Sequence, residues 1–491
     1  MYTIGYDIGS SSIKAALVDS ETGKSLAVVS EPEVEMEMLA LENGWAEQHP
    51  DDWWIHICNA TKKLIAENGI DSKKITGIGI AYQMHGLVLV DQNGIPLRPS
   101  IIWCDSRAVQ IGQKAFDTLG NQKCSEQLLN SPANFTASKL KWVKDNEPEV
   151  YGKVHKFMLP GDYIGFKLTG EICSTISGLS EGIFWDFKEN TIAHWLLEHY
   201  GIRMDLVPQI KDTFSVQGRI SEKGAQESGL AAGTPILYRA GDQPNNALSL
   251  NVFNPGEVAA TGGTSGVVYA VTESLSVKES ARVNNFAHVN YKVSNPKIGK
   301  LLCINGSGIQ YRWLMKNLDV SSYEEMNRLA ASVPIGSDGV TIHPFGNGAE
   351  RMLDNRTLGT RMGNINLNNH TKAHLCRAAL EGIAFSFVYG MEIMTSDGIV
   401  PNVIRAGNDN LFRSDIFSET IATLIGQEIE IYNTTGAIGA ARACTLHEGN
   451  FNAFGKQVME NDYTMSFQPK PNNEKYMEAY KKWKMELVGM L

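Results

Sequence analysis

The chain carries one small device twice. Residues 2–18, YTIGYDIGSSSIKAALV, read as a strand, a Gly/Ser turn and a second strand. Residues 257–272, EVAATGGTSGVVYAVT, repeat the pattern. The first turn holds Gly9, Ser10, Ser11 and Ser12, with Lys14 just beyond; the second holds Gly262, Gly263, Thr264, Ser265 and Gly266. Backbone N–H groups in such turns can face an anion, and glycine lets the chain approach a ligand closely. Either turn alone also fits an ordinary hairpin. Two of them, about half a chain apart, predict two related domains gripping one polyphosphate between them.

Length supports the division. At 491 residues the chain exceeds one core and suits two domains, read as 1–250 and 251–491. Residues 250–256 (LNVFNPG) form the joint, because Asn254-Pro255-Gly256 breaks any element there. The net charge is −10, and no Lys/Arg run forms a patch or tail. That argues against nucleic acid or an anionic membrane surface as a partner. Cysteines at 58, 104, 124, 173, 303, 376 and 444 are scattered and odd in number, which argues against a disulfide framework or a zinc cluster. A reducing cytoplasm is the expected setting. No signal pattern precedes the first strand, and no apolar stretch suits a membrane span.

Strands alternate with helical stretches, so the fold class is α/β. A helix capped near Asp51 or Asp52 is expected, with Trp54, Ile57, Cys58, Thr61, Leu64 and Ile65 on one face. Residues 75–81 form a buried strand, 136–145 a helix and 156–168 a segment starting near Pro160. The stretch 125–235 reads as decoration on the first domain. In the second half, a strand at 301–305 leads to a helix from Ile309, and 371–395 is a long helix. Strands at 402–406 and 427–432 each lead into helices, and the charged tail from about 470 is helical.

Several strand ends carry chemistry. Asp7 would oppose phosphate directly, so it fits beside a cation, most simply Mg²⁺ held through water; a capping Asp fits too. Gly241-Asp242-Gln243 ends a strand just before the joint. There the Asp242 carboxylate could take a proton from an incoming hydroxyl, or could cap a helix over 243–250. Gln83-Met84-His85-Gly86 breaks a strand pair with polar groups and a glycine, a usual place to meet a small ligand. Trp103, Asp105 and Arg107 end another strand and could line the same pocket. A half-buried histidine and a core tryptophan are the plain alternatives.

Gly407, Asn408 and Asn410 mark a strand-to-helix turn, and Gly436 and Gly439 mark the next. An adenine or ribose could lie on such backbone, and a plain helix start fits equally. Glu350-Arg351 is a Gly-flanked, exposed-looking pair, either an interface ion pair or a surface one. His370 and His374 stand four apart but lack a third ligand, against zinc. Neither turn has P-loop spacing, and each leads into a strand, unlike a dinucleotide fingerprint.

Together these residues resemble the FGGY family of carbohydrate kinases, in the actin/hexokinase superfamily. The resemblance runs from DIGSSSIK at 7–14 to TGAIGAARA at 435–443. AYQMHG at 81–86 is its most diagnostic piece, supported by SIIWCDSR at 100–107, NFTASKLKWV at 134–143, LPGDYIGFKLTGE at 159–171 and GGTSGVVYAV at 262–271. It implies two ribonuclease-H-like α/β domains with the active site in the cleft between them: sugar in the first, nucleotide in the second. It implies ATP-dependent phosphorylation of a ketopentose hydroxyl such as that of D-xylulose, with ATP as co-substrate and Mg²⁺ as cofactor. Sedoheptulose, glycerol, gluconate and other pentuloses are the alternatives, and a homodimer is left open.

Carried over by residue, the resemblance makes Asp242 the catalytic base and Asp7 the Mg²⁺-linked carboxylate. Met84, His85 and Asp242 match sugar-contacting positions, joined by Trp103 and Gln243. The turns with Gly9, Ser10, Ser11, Ser12, Lys14, Gly263 and Thr264 hold phosphates; Gly306, Gln310, Gly407, Asn408 and Asn410 fall on the nucleotide. Two departures stand out: Gln243 replaces the usual Asn, as in glycerol kinases, and a Gly-Gly motif reads Ala406-Gly407-Asn408. A kinase-derived sugar sensor would need a DNA-binding appendage that the chain lacks. An actin-like filament ATPase would need no Met-His-Gly site.

Overall fold

The computed structural model describes residues 1–491 apart from Asp409 and the side chains of Asn410 and Glu448. Two mixed sheets follow one plan. In the first, β1 (Tyr2–Ile8), β2 (Ile13–Asp19) and β3 (Ser25–Glu31) run antiparallel in turn. β4 (Ile75–Tyr82) joins β1 in parallel, and β6 (Pro235–Gly241) joins β4 in parallel. β5 (Phe214–Arg219) closes that edge antiparallel, giving the order β5-β6-β4-β1-β2-β3.

The second sheet repeats this. β7 (Glu257–Gly262), β8 (Gly266–Thr272) and β10 (Ile298–Ile304) are antiparallel. β11 (Val403–Gly407) and β12 (Ile429–Tyr432) follow in parallel, and β13 (Tyr463–Phe467) closes antiparallel. β9 (Asn284–Ala287) is an addition beside β10. The duplication read in two hairpins therefore extends over both sheets. The parallel strands read as nearly unbroken apolar runs because both faces are covered; all but one residue of β4 is buried.

Two short helices lie between the sheets. α1 (Asp242–Ser249) follows β6, and α3 (Gly436–Ala443) follows β12. α3 belongs to the second half in sequence, yet it packs on β1, β2 and β4 of the first sheet. Glycine makes the approach fit: a Cβ on Gly5 would stand 2.0 Å from the Ala437 carbonyl oxygen, and one on Gly79 1.9 Å from that of Ala440. Asn245 on α1 donates its Nδ2–H to the Gly436 carbonyl at 2.9 Å, tying the two helices.

Boundaries shift locally. The first long helix spans Pro50–Glu67, and its N-cap is His49, without a side-chain cap bond, rather than Asp51 or Asp52, which fall in its first turn. Proline suits that first position because the N–H it lacks would be unbonded anyway. Its expected face is buried except for Ile65. The segment 156–168 divides into a strand, Lys156–Met158, and a helix, Pro160–Thr169. The stretch 125–235 supplies Leu140, Phe157 and Phe184 to an apolar cluster that also takes in Met84, Leu87 and Ile101, and Phe286 and Ala287 of β9. The tail helix Glu474–Met490 packs back through Tyr480, Trp483 and Leu487. Among the described residues, no helix is long and apolar enough to cross a membrane.

Candidate active site

Register gathers the first half's polar strand ends. Ile8 of β1 pairs with Tyr82 of β4, and Tyr82 pairs with Gly241 of β6. Asp7, the segment Gln83–Gly86 and Asp242 therefore emerge together at the carboxyl edge of parallel strands, the usual ligand edge of such sheets. Gly241 is the N-cap of α1, so Asp242 is the helix's first residue and does not cap it.

Asp242 feels the charge of Asp7. The Asp242 carboxyl is pushed up to about 7, first by burial and then by the charge of Asp7; bonds from Gln243 pull the other way. Asp7 is raised too, by burial, with Lys14 opposing from its paired position on β2. A buried carboxylate whose charge raises its neighbour's proton affinity fits a cation beside it. Among the described residues, no group of three or more His, Cys, Asp or Glu is arranged to hold a metal. The donor set suits Mg²⁺, which takes one or two carboxylates and fills its shell with water and substrate phosphate.

The first turn closes on itself, with the Gly9 N–H donating to the Ser12 carbonyl at 3.1 Å. Gln48 holds it from outside through the Ser10 carbonyl at 2.7 Å. Trp103 stands over it, its Nε1 3.5 Å from Ser10 Oγ, and is 54% exposed. It is therefore no core residue. Asp105 and Arg107 do not line the pocket. The Asp105 carboxylate is buried, bonded to the Arg107 guanidinium and to the Ala46 N–H. The Arg107 guanidinium lies 3.9 Å over Trp45 and pairs with Glu47. These groups brace the strand end that carries Trp103.

His85 has a left-handed backbone, with φ of 62°. Its Nδ1 lies 3.0 Å from the Glu181 carbonyl oxygen, and its ring meets Phe135 at 4.8 Å and Phe286 at 5.3 Å. Burial pulls it down to about 3, so the imidazole is neutral. Met84 is buried, and a Cβ on Gly241 would meet its Cγ at 2.6 Å. Sequence reasoning passed over Glu181, which is buried here with its Oε2 3.6 Å from His85 Nδ1. Burial, and then the charges of Asp242 and Asp162, raise its carboxyl. It sits in a stretch taken for decoration, and nothing local marks it.

The second hairpin packs on α1, the helix that Asp242 opens. Cys303 on β10, neighbour of β8, feels the charge of Asp242. The turn packs on the start of α2 (Gly308–Asn317): the Gly308 N–H donates to the Gly263 carbonyl, and Ile309 to Thr264, both at 3.0 Å. Behind it opens a cavity of about 540 Å³, lined by Gly263, Thr264, Gly308, Tyr311, Tyr323 and Arg413 among others. Tyr311 and Tyr323 stack with centroids 5.8 Å apart. Gly263 and Thr264 were expected here; the tyrosines and Arg413 were not, although Tyr311 lies one turn into the helix that Gly306-Ser307-Gly308 opens.

Among the described residues, Gly306, Gln310, Gly407 and Asn408 are not part of the cavity wall. Gly306 donates its N–H to Glu350 at 2.7 Å. Gln310 is buried, accepts from Thr360 at 2.7 Å and leaves its Nε2 without a partner. Gly407 ends β11, and the Asn408 N–H bonds Tyr432 on β12 at 2.7 Å. The Asn410 side chain lies outside the described residues. Glu350 is fully buried and does not pair with Arg351; its two oxygens accept from Asn305 and Gly306. His374 joins the cap of the helix Lys372–Ser396 and meets Asp338 at 3.2 Å, while His370 accepts from the Asn366 N–H.

The model of the FGGY family of carbohydrate kinases, N-terminal domain, matches residues 2–249, and that of its C-terminal domain matches 258–447. The chain belongs to this family. Its FGGY relatives include a xylulose kinase of Staphylococcus epidermidis (strain ATCC 12228 / FDA PCI 1200), 30% identical over 87% of this chain and 85% of that protein. A xylulose kinase of Bacillus subtilis (strain 168) is 27% identical over 98% of this chain and 96% of that one. The crystal structure of xylulose kinase from Rhodospirillum rubrum superposes with a TM-score of 0.88 at 25% identity, covering 100% of this chain and 99% of that one. The two-domain α/β architecture is thus that of the FGGY kinases, and the protein is a carbohydrate kinase.

Proposed function

We propose that this FGGY kinase transfers the γ-phosphoryl group of ATP to a hydroxyl of D-xylulose, forming D-xylulose 5-phosphate. The names of its relatives supply the sugar. The observation that carries the chemistry is the pairing of Asp242 with Asp7 at one strand edge, with half-buried His85 beside them and the second hairpin packed on the helix that Asp242 opens.

In this reading the first half, 1–250, holds the sugar against Met84, His85, Trp103 and Gln243. The second half, 251–491, holds ATP, its nucleoside in the cavity walled by Tyr311 and Tyr323. Asp242 accepts the proton of the attacking hydroxyl; a carboxyl poised near neutrality suits a general base. Mg²⁺ would be held at Asp7 and, when bound, neutralises charge on the β- and γ-phosphates. The N–H groups of the turns at 9–12 and 263–265 hold those phosphates in line with the hydroxyl. Most of the rate enhancement then comes from positioning and charge stabilisation. Closure of the cleft excludes water, which would otherwise take the phosphoryl group.

A second reading rests on Gln243. Its Oε1 is buried without a hydrogen-bond partner, an acceptor left for a substrate hydroxyl, and the same residue type stands there in glycerol kinases. ADP release measured against D-xylulose, glycerol, gluconate and sedoheptulose separates the two. The highest kcat/KM with D-xylulose supports the first; the highest with glycerol replaces it.

A further inference from the structure

Lys139 lies under the sugar edge, fully buried. Its Nζ donates to the His85 carbonyl and to the Ile102 carbonyl, each at 2.9 Å. No carboxylate stands within salt-bridge distance of it among the described residues, since Asp105 is taken by Arg107. The charged and titratable groups around it are Asp105, Cys104, Arg107 and Glu181. Burial pulls the ammonium down to about 8, against the opposing pull of Asp105. A buried charge without an ion-pair partner is a costly way to fill space.

The two carbonyls explain the cost. One belongs to His85, held in a left-handed backbone that a β-carbon disfavours. The other precedes Trp103. The same helix start makes two more such bonds: Thr136 Oγ1 donates to the Gly86 carbonyl at 3.3 Å, and Asn134 Nδ2 donates to the Asp105 carbonyl. Residues 134–139 thereby tie together the two strand ends that carry His85 and Trp103.

We propose that Lys139 is a positioning residue for the sugar: by bridging the His85 and Ile102 carbonyls it sets the spacing between the His85 imidazole and the Trp103 indole. This rests on the sugar site proposed above. Lys139 is closed off from the cleft, so it acts through those two residues. Its loss should therefore weaken the sugar and leave the nucleotide, bound in the other half, untouched.

The test is steady-state kinetics of the full-length enzyme with D-xylulose and ATP varied separately, alongside thermal unfolding. Lys139→Met should raise the sugar KM by roughly tenfold or more, the loss of charge-assisted hydrogen bonds, with the ATP KM unchanged. Lys139→Gln keeps two N–H donors on a shorter stem, and should raise the sugar KM severalfold with the ATP KM again unchanged. If Lys139→Met does not fold, Lys139→Gln carries the test. An unchanged sugar KM in a folded variant, or sugar and ATP KM rising in step, overturns the proposal. Wild-type turnover that no sugar stimulates would instead overturn the function on which it rests.

Discussion

Gly436 comes so close to Asp7 that a Cβ there would stand 2.4 Å from the Asp7 Oδ2. The second half thus sets its α3 helix start directly against a carboxylate of the first. A methyl group at this point must displace either the helix or the carboxylate. Gly436→Ala is expected to lower turnover by roughly tenfold or more, as misplacing a positioned group does, while the sugar KM changes little. Unaltered kcat in that variant would show that Asp7's position is unimportant.

Asp242, held near neutrality by burial and by Asp7, must be ionised to accept a proton. Activity should therefore be low in acid and rise with pH. Below about 7, kcat/KM for the sugar should fall by about tenfold per pH unit. A profile that stays flat down to pH of about 5 would remove Asp242 as the base.

Gly308 touches the second turn at its backbone: a Cβ there would lie 2.3 Å from the Gly263 carbonyl oxygen. The carbonyl cannot swing away as a side chain could, so Gly308→Ala should push the turn out of place. The expected result is an ATP KM raised by roughly tenfold, with sugar affinity measured by calorimetry unchanged. Equal losses in both ligands would point to general unfolding.

Glu350 is pushed up to about 7, by burial first, against the N–H groups of Asn305 and Gly306. A folded-state value above the unfolded one means the fold holds the proton more tightly. The stability this adds is full below the unfolded value of about 4.3 and is lost as pH rises through about 7. Comparing wild type with Glu350→Gln isolates this group. The wild-type advantage in denaturant unfolding should shrink by roughly 1–3 kcal/mol between pH of about 5 and 8. A widening advantage would contradict the assignment.

Features set by local rules were legible in the chain. Small-residue turns between apolar runs marked both hairpins, and apolar runs that stop at polar or glycine residues placed Asp7, His85 and Asp242 at strand ends. Parallel pairing then brought those ends together. What was illegible depends on packing between distant segments. Lys139 and Glu181 reach the sugar edge from a stretch whose helical period shows an apolar face but not what that face covers. The cavity wall draws Tyr311, Tyr323 and Arg413 from separate segments, so no single motif contains it. Glu350 looked exposed because glycines flank it, yet its carboxylate is buried against the N–H groups of Asn305 and Gly306, which lie some forty residues away in sequence. The small helix after Gly436 lies on the other half's sheet because Gly5 and Gly79 leave room for it there.

The most direct test of the account is sugar-dependent ADP release by wild type and by Asp242→Asn with D-xylulose. Wild type should be strongly stimulated by the sugar, and the variant's turnover should fall by roughly 10²–10⁴-fold, with ATP binding retained. Near-normal turnover by Asp242→Asn would contradict it.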